Sequence, residues 1–339
     1  MSDVKKGINV LSLFDGISCG RLALERAGIK INKYFASEID PYAIAVSKRN
    51  YPDNIHVGDV CKVSSENLPK IDLIIGGSPC QGFSMAGKML NFGDARSKLF
   101  FEYVRLLKEC SPEYFLLENV EMKKCFEDSI TEIMDVKPIR INSNLVSAQE
   151  RKRLYWTNIP GVEQPTDRGI YLEDVVFPDA LVDRDKAHAI IGSIGRTTHR
   201  EYFKKNQGQI VYSAIMLSNI YGGFKETRPR VHIRKSPTIR TAAGGGHIPS
   251  LVIDGIQKDF TIEEIKKVIR KVNPIECERL QTLPDNWTSG PSDTQRYKMI
   301  GNAWTVDVIS HIFKGLPYTD TEYPICERIP AQRKLEVWC

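Results

Sequence analysis

Cys80 is the residue of this sequence whose surroundings best suit a reactive group. It lies in the string Gly76-Gly77-Ser78-Pro79-Cys80-Gln81-Gly82-Phe83-Ser84, directly after the apolar run 71–75. That run predicts a buried parallel strand, and the two glycines and the proline predict a sharp turn after it. Open α/β sheets bind their ligands at the carboxyl ends of such strands. A small buried cysteine is the alternative interpretation, but packing alone does not require two glycines and a proline around one thiol.

Carboxylates follow three other predicted strands of the chain. Glu38, Asp59 and Glu118 each come after a short run rich in apolar or β-branched residues, and the carboxyl ends of parallel strands meet at one edge of a sheet. Glu38 ends the second strand, where such folds hold the hydroxyl groups of a ribose. Asp59 either accepts from an adenine amino group or caps a turn, and Glu118 is either a capping group or a functional acid. We therefore expect these groups to lie at the same edge as the thiol.

The first predicted turn of the chain is rich enough in glycine to bind a ligand. It has the sequence Asp15-Gly16-Ile17-Ser18-Cys19-Gly20 and lies between a predicted strand at 9–14 and a predicted helix at 21–27. Its glycines are four residues apart, which is not the spacing of the dinucleotide-binding fingerprint. The turn nevertheless lets a ligand approach backbone N–H groups closely. Further on, Asp40 is predicted to N-cap a helix that begins at Pro41.

Strands and helices alternate along the first half of the chain, which predicts an α/β fold. After the helix expected at 96–109, the predicted strand 114–117 delivers Glu118 to the sheet edge. Residues 167–287 lose this alternation and are rich in glycine and arginine, so we predict a second, smaller domain there. Near the end, Gly301-Asn302-Ala303 predicts a turn that leads into an apolar helix.

Composition and charge narrow the classes of protein. The chain has 339 residues and a net charge of +5, but residues 196–240 contain ten Lys and Arg against two Glu, which leaves the remainder at −3. Such a segment is either a solvated face or the footprint of a polyanion. The eight cysteines include no closely spaced pair, which argues against a disulfide framework and a zinc site. Unpaired cysteines suit a reducing compartment, and no apolar run is long enough for a membrane span. We therefore expect a cytoplasmic protein that needs no metal.

Taken together, these strings resemble the motifs of the DNA cytosine-5 methyltransferase family and occur in the family's order. The resemblance runs from about residue 8 to residue 313 and leaves the recognition segment and the C-terminal tail uncovered. The similar strings are Phe14-Asp15-Gly16-Ile17-Ser18-Cys19-Gly20, Pro79-Cys80-Gln81, Glu118-Asn119-Val120, the Gln-x-Arg-x-Arg pattern of Gln149, Arg151 and Arg153, Pro274-Ile275-Glu276-Cys277-Glu278-Arg279-Leu280-Gln281, and Gly301-Asn302-Ala303. The last string departs from the usual Gly-Asn-Ser of the family.

The resemblance implies a fold and a division into domains. The fold is α/β, a Rossmann-like S-adenosylmethionine-dependent methyltransferase fold with a mixed, mostly parallel sheet, plus a smaller target-recognition domain. Because the family's final motif folds back onto the first, the catalytic domain would be discontinuous. We expect it to comprise residues 1–166 and 288–339, and the target-recognition domain to comprise residues 167–287. The wording of Ser12-Leu13-Phe14-Asp15-Gly16-Ile17 and Gly301-Asn302-Ala303-Trp304 is similar to that of the eukaryotic de novo methyltransferases and of some bacterial or phage relatives. We see no reader or tether domain, so we expect the compact bacterial or phage type, a monomer that acts on double-stranded DNA.

The resemblance also implies which residues form the site. The expected catalytic residues are Cys80, Glu118, Arg151 and Arg153. The expected S-adenosylmethionine-binding residues are Phe14, Asp15, Gly16, Ile17, Glu38, Ile39, Asp59, Val60, Pro79, Asn302, Ala303 and Trp304. The expected DNA-binding residues are Gln81, Ser84, Arg228, Arg230, Arg240, Gly244 and Gly245.

The implied chemistry activates a poor nucleophile, because C5 of cytosine does not attack a methyl group unaided. The thiolate of Cys80 would add to C6, and Glu118 would donate a proton or a strong hydrogen bond at N3. Arg153, and also Arg151, would hold the carbonyl oxygen of the base or Cys80. The target base would have to be flipped out of the duplex.

Three alternatives remain open from the sequence. A tRNA cytosine-5 methyltransferase would use the same scaffold, although a long recognition segment favours DNA. A DNA-binding regulator without activity is disfavoured by the intact Cys80, Glu118 and Arg153. A nicotinamide-dependent oxidoreductase is disfavoured by the spacing of the glycines in the first turn.

Overall fold

The computed structural model describes the N-terminal half of the chain and its later helical segment most completely. The described residues are 7–78, 95–177, 180, 182, 184–196, 209–212, 215–218, 230–232, 250–253, 256–258 and 269–318. Among them, no helix is both long and apolar enough to cross a membrane.

Fifteen strands are described, and seven of them form one sheet. The strands are β1 (Ile8–Leu13), β2 (Ile31–Ser37), β3 (Ile55–His56), β4 (Leu73–Gly76), β5 (Tyr114–Val120), β6 (Ile139–Asn142), β7 (Gln149–Glu150), β8 (Lys152–Thr157), β9 (Ala187–His188), β10 (Ile210–Tyr212), β11 (Ile215–Ser218), β12 (Arg230–His232), β13 (Ser250–Ile253), β14 (Ile256–Lys258) and β15 (Ile269–Lys271). The large sheet has the order β3-β2-β1-β4-β5-β8-β6. Its first five strands are parallel, and β8 is antiparallel to both β5 and β6. The predicted mixed, mostly parallel sheet is therefore confirmed.

Eight α-helices connect or cover these strands within the described part of the chain. They are α1 (Cys19–Arg26), α2 (Pro41–Asn50), α3 (Ala95–Cys110), α4 (Lys124–Met134), α5 (Leu172–Val175), α6 (Pro274–Leu280), α7 (Asp293–Asn302) and α8 (Val306–Phe313). The predicted cap of α2 is confirmed, because the side chain of Asp40 accepts from the backbone N–H of Tyr42 and proline occupies the first turn.

Apolar side chains from both faces of the sheet form two cores. Val10 belongs to one core, whereas its neighbour Leu11 belongs to the other, as the alternation of side chains along a strand requires. The first core also contains side chains of α1 and α8, and the second contains Phe100 and Tyr103 of α3. Helices therefore cover both faces, which leaves the carboxyl ends of the parallel strands as the open edge of the sheet.

Strand β5 is longer than the sequence predicts. We expected it to end at residue 117 and Glu118 to follow it, but β5 continues to Val120. The parallel neighbour β4 stops pairing at Leu117, whereas the antiparallel neighbour β8 pairs as far as Val120. Glu118 therefore lies within a strand, opposite Tyr155, because a second strand that is distant in sequence extends the ladder.

The expectation that Gly301-Asn302-Ala303 forms a turn is wrong for its first two residues. Gly301 and Asn302 end helix α7, and the turn begins at Ala303. A Cβ on Gly301 would lie 2.1 Å from the carbonyl carbon of Ile191 and 2.2 Å from the backbone nitrogen of Gly192. The glycine is therefore required for the close crossing of two backbone segments and not for a turn.

A third core joins segments on either side of the predicted domain boundary. It contains Cys277 and Leu280 from α6 together with Ile300 from α7 and Ala148. The short strands β11–β14 form a separate antiparallel sheet within residues 215–258. The division at residues 166/167 and 287/288 stays a prediction, although α6 packs with residues of the predicted catalytic part.

Candidate active site

A cavity of about 840 Å³ lies at the carboxyl ends of the central strands. It combines residues that follow β1, β2 and β4 with residues of β5, β8 and α7. The expected site residues in its wall are Phe14, Asp15, Gly16, Ile17, Glu38, Glu118, Arg151, Arg153, Asn302, Ala303 and Trp304. The structure thus brings the expected donor-binding turn and the expected acid into one cavity.

Other expected residues lie away from this cavity or outside the described residues. Ile39, Asp59 and Val60 are described but are not part of the cavity wall. Pro79, Cys80, Gln81, Ser84, Arg228, Arg240, Gly244 and Gly245 lie outside the described residues. Arg230 is described only as part of the backbone of β12.

The carboxylate of Glu38 organises the turn after β1. Its Oε2 accepts from the backbone N–H of Gly16 at 2.8 Å, and its Oε1 accepts from the N–H groups of Ile39 at 2.7 Å and Asp40 at 2.8 Å. Gly16 has a φ of +59° and nothing within 4 Å of where a Cβ would be. A glycine suits this left-handed conformation and leaves the backbone open to the cavity.

Asp15 is a buried carboxyl group beneath the same turn. Its Oδ1 accepts from the hydroxyl of Tyr34 at 2.7 Å, and its Oδ2 accepts from the hydroxyl of Ser18 at 2.6 Å. Burial raises the pKa of Asp15 to about 6, and the hydrogen bonds that it accepts from Ser18 and Ser12 oppose this shift. The pKa of Asp15 is therefore well above that of an ordinary surface aspartate.

Asp40 and Asp59 both act as caps in the structure. Asp59 accepts from the backbone N–H of Cys61 at 3.0 Å, so the capping interpretation of its side chain is realised. Asp40 accepts from Tyr42 at 3.0 Å and from Nζ of Lys298 at 2.7 Å. A second carboxylate oxygen of Asp59 is not used by this cap, so an additional role as an acceptor for the donor's adenine stays a prediction.

Glu118 lies between two donor side chains. Nε of Arg153 is 3.0 Å from Oε1 of Glu118, without the alignment of a hydrogen bond. Nε1 of Trp304 donates to Oε2 at 3.2 Å. A Cβ on Gly77 would lie 2.9 Å from Oε2, so only a glycine fits beside this carboxylate without displacing it. Any larger residue at position 77 would therefore have to displace the Glu118 side chain.

Arg151 and Arg153 have different surroundings although they are two residues apart. The Arg151 side chain is buried and donates to the carbonyl oxygens of Ile190 at 2.6 Å, Ala303 at 3.0 Å and Gly301 at 3.3 Å. Burial, together with the charge of Arg153, lowers the pKa of Arg151 to about 10. The described contacts of Arg151 are thus with the backbone of Ile190 and with the backbone segment that carries Trp304, and its expected contact with the base stays a prediction.

Several residues of the cavity were missed by the sequence analysis. Lys298 reaches it from α7, and the only signal for its position would have been a helix predicted before Gly301. Ser78 and Asn119 are part of motifs that were recognised, yet no role was assigned to them. The Oγ of Ser78 and the Nδ2 of Asn119 are buried in the cavity wall and have no hydrogen-bond partner among the described residues.

Comparisons with known proteins agree with this arrangement. A sequence model described as C-5 cytosine-specific DNA methylase matches residues 8–134 and 143–317. The chain is 30% identical to the type II methyltransferase M1.ScrFI of Lactococcus lactis subsp. cremoris, over 89% of this chain and 76% of that protein. It is 26% identical to the type II methyltransferase M.HhaI of Haemophilus parahaemolyticus, over 90% of this chain and 93% of that protein.

Solved structures show the same fold. The Entamoeba histolytica methyltransferase EhMeth has a TM-score of 0.62 at 16% identity, over 91% of this chain and 98% of that chain. A protein named as a putative DNA modification methyltransferase of an Escherichia coli prophage has a TM-score of 0.56 at 22% identity. The match covers 91% of this chain and 98% of that chain.

The sheet order and the helices on both faces define a Rossmann-like methyltransferase fold. Within that class, the chain belongs to the C-5 cytosine-specific DNA methylase family, because the family's sequence model matches most of its length. It is thus a DNA (cytosine-5)-methyltransferase.

Proposed function

We propose that this enzyme takes its methyl group from S-adenosylmethionine and transfers it to C5 of a flipped-out cytosine in double-stranded DNA, through a covalent bond between Cys80 and C6. One observation carries the proposal. The turn at residues 15–17 and the Glu118–Arg153 pair line the same cavity, so a methyl donor on the turn and a base at the acid would be close enough to react.

The cavity suits S-adenosylmethionine in size and in its polar groups. Its volume of about 840 Å³ lies within the usual range of small-molecule sites. Oε1 of Glu38 accepts two backbone N–H groups, whereas Oε2 accepts only that of Gly16. A carboxylate has about four acceptor positions, so Oε2 can accept one more hydrogen bond, as from a ribose hydroxyl. When bound, the donor supplies an electrophilic methyl group on sulfur.

Cys80 is the proposed nucleophile because of its chain connectivity and its chemistry. It follows the cavity residue Ser78 by two positions, and two residues of chain span at most about 7 Å. A thiolate that adds to C6 of cytosine converts C5 into a nucleophile, and after methyl transfer the loss of the C5 proton allows the sulfur to leave. A base must accept this proton before Cys80 leaves.

Glu118 and Arg153 are proposed to act on two neighbouring polar atoms of the base. Glu118 would protonate N3 or donate a hydrogen bond to it as negative charge develops on the ring. Arg153 would donate to the carbonyl oxygen of the ring, for which a planar guanidinium group is suited. Their separation of 3.0 Å allows each to fix the other before the base arrives. Arg151 is proposed to stabilise this pair indirectly, through its hydrogen bonds with the backbone next to Trp304.

Residues 167–287 are proposed to form the target-recognition domain between the two parts of the catalytic domain. The basic segment 196–240 falls within this range, and Arg228, Arg230 and Arg240 would contact phosphates and supply affinity. Gln81, Ser84, Gly244 and Gly245 would contact DNA nearer the flipped base. The relatives M1.ScrFI and M.HhaI are named type II methyltransferases, which supports a duplex DNA substrate.

Bisulfite sequencing of DNA from cells that express the enzyme first identifies the sequence that it methylates. The test is then a covalent trap, with duplex DNA that carries 5-fluorocytosine at the target position of that sequence. Fluorine at C5 cannot be removed as a proton is, so the adduct should persist after methyl transfer. The wild-type enzyme should form it only with S-adenosylmethionine present, and peptide mapping should find it on Cys80. Cys80→Ser should abolish the adduct, because a serine hydroxyl has a far higher pKa than a thiol and is a much weaker nucleophile.

Cys61→Ser is the matched control, because Cys61 is a free and exposed cysteine of the same chain. This variant should form the adduct at the wild-type rate. An adduct that persists in Cys80→Ser, or that maps to another cysteine, would overturn the assignment of the nucleophile.

A further inference from the structure

The indole ring of Trp304 lies between the two halves of the candidate active site. It is partly buried against the core that contains side chains of α1 and α8, and it lines the same cavity as Gly16 and Glu118. A Cβ on Gly20 would lie 3.3 Å from its Cζ3, and a Cβ on Gly77 would lie 3.1 Å from its Nε1. Glycines from α1 and from the segment after β4 therefore leave room for this ring.

The indole nitrogen is hydrogen-bonded to the proposed catalytic acid. Nε1 of Trp304 donates to Oε2 of Glu118 at 3.2 Å, while Oε1 of Glu118 lies 3.0 Å from Nε of Arg153. An indole N–H can only donate, so Oε2 is the acceptor in this contact. The two oxygens of Glu118 thus have different neighbours, and rotation of the carboxyl group would break the contact with Trp304.

The backbone on either side of Trp304 is fixed by buried polar groups. The carbonyl oxygen of Ala303 accepts from Arg151 at 3.0 Å and from the side-chain amide of Gln281 at 3.2 Å. The hydroxyl of Thr305 is hydrogen-bonded with Ser143 and with Gln281, each at 2.9 Å. An anchored backbone and a close-packed ring make the indole N–H a donor of defined direction.

We propose that Trp304 is a positioning residue that orients the carboxyl group of Glu118 and so links the wall of the methyl-donor site to the acid that acts on the base. The inference rests on the proposed function of Glu118. It goes beyond that function because it assigns a role in the chemical step to a residue expected only to bind the donor. The contact joins two residues that are 186 positions apart in the chain.

The principal test variant replaces the N–H of Trp304 and little else. Incorporation of β-(3-benzothienyl)alanine at position 304 exchanges the N–H for sulfur and keeps the bicyclic shape, and Trp304→Phe is a second variant. The benzothienyl variant loses the hydrogen bond from position 304 to the carboxyl group of Glu118. Its kcat on duplex DNA should therefore fall by about 10–100-fold. The KM for S-adenosylmethionine should change by less than about twofold, because the ring that lines the donor site is retained.

Trp156→Phe is the matched control. It removes another indole hydrogen bond, from Nε1 to the hydroxyl of Thr131 at 3.0 Å, on the strand that carries Arg153 but outside the cavity wall. We expect its kcat to stay within about twofold of the wild type at a temperature where both are folded. A fall in kcat no larger in the position-304 variants than in Trp156→Phe would overturn the proposal.

A double-mutant cycle with Glu118→Gln separates positioning from general structural support. In that background the acid is gone, so the change at position 304 should alter kcat by less than about twofold. An equal fall in both backgrounds, or a loss that appears only in the KM for S-adenosylmethionine, would contradict the inference. If Glu118→Gln alone leaves kcat at the wild-type value, the proposed role of Glu118 is wrong, and this inference fails with it.

Discussion

The guanidinium group of Arg151 donates a hydrogen bond to the carbonyl oxygen of Ala303 at 3.0 Å. The first arginine of the Gln-x-Arg-x-Arg pattern thereby connects β7 and β8 to the segment between α7 and α8, near the end of the described chain. Gln149 of the same pattern extends the connection, because its amide group donates to the carbonyl oxygen of Leu280 at 2.5 Å and to the side chain of Gln281 at 2.9 Å. The motif therefore connects Leu280, Gln281 and Ala303 to the large sheet.

Arg151→Lys should destabilise the protein, because a lysine cannot donate to three carbonyl oxygens in the positions that the guanidinium group reaches. Loss of such hydrogen bonds from a charged, buried donor costs about 2–3 kcal/mol, and urea unfolding would measure it. Arg140→Lys is the matched control, since the Arg140 side chain is half exposed in its ion pair with Glu127, and it should cost less than about 1 kcal/mol. Equal losses in the two variants would contradict the buried role of Arg151.

Asp15 should make stability depend on pH in the acidic range. Its pKa is raised from the ordinary 3.8 to about 6, chiefly by burial. Between these values the folded protein holds a proton that the unfolded chain has lost, so the contribution of Asp15 is full below about pH 4 and is lost as the pH rises through 6. The loss is on the order of 3 kcal/mol.

Asp15→Asn should remove this dependence. Urea unfolding at intervals from pH 4.5 to 8 should show the variant gaining stability relative to the wild type as the pH rises. Asp135→Asn is the control, because Asp135 is exposed and its curve should run parallel to that of the wild type. A constant difference between Asp15→Asn and the wild type over this range would show that Asp15 does not titrate as described.

Asp59→Ala should weaken S-adenosylmethionine binding more than Asp40→Ala does. The expected reason is that Asp59 follows β3 at the carboxyl edge of the sheet and accepts from the adenine amino group, a hydrogen bond whose loss costs about 1.5–3 kcal/mol. Asp40 is explained by its cap on α2 and its ion pair with Lys298, so Asp40→Ala should lower the free energy of unfolding by about 1 kcal/mol. Calorimetry that finds equal losses of donor affinity would remove Asp59 from the site.

Replacement of Arg228 and Arg230 by alanine should weaken DNA binding at moderate salt. If both side chains contact phosphates, the slope of log affinity against log salt concentration should become shallower by up to about two. Affinity for S-adenosylmethionine should stay unchanged and serves as the internal control. A variant that retains both the wild-type slope and the wild-type affinity would assign this pair to a solvated face.

The sequence alone determined the class of fold and the neighbourhood of the site. Local patterns were sufficient for this, because the apolar runs of β1, β4 and β5, the N-cap at Asp40 and the glycine-bearing turn after β1 all depend on residues close in sequence. The carboxyl groups at Glu38 and Glu118 could be placed at one edge because parallel strands end together.

The tertiary structure decided which atoms meet within that neighbourhood. Glu118 lies inside β5 because β8 pairs beyond the end of β4, and Gly301 lies in α7 at the point where this helix crosses the backbone of Ile191. Neither Arg151 nor Trp304 could be assigned its partner from the sequence, since the contacts with Ala303 and Glu118 span more than 150 residues. Contacts of this kind have no local pattern, because they arise only when distant segments pack together and bury their polar groups against one another.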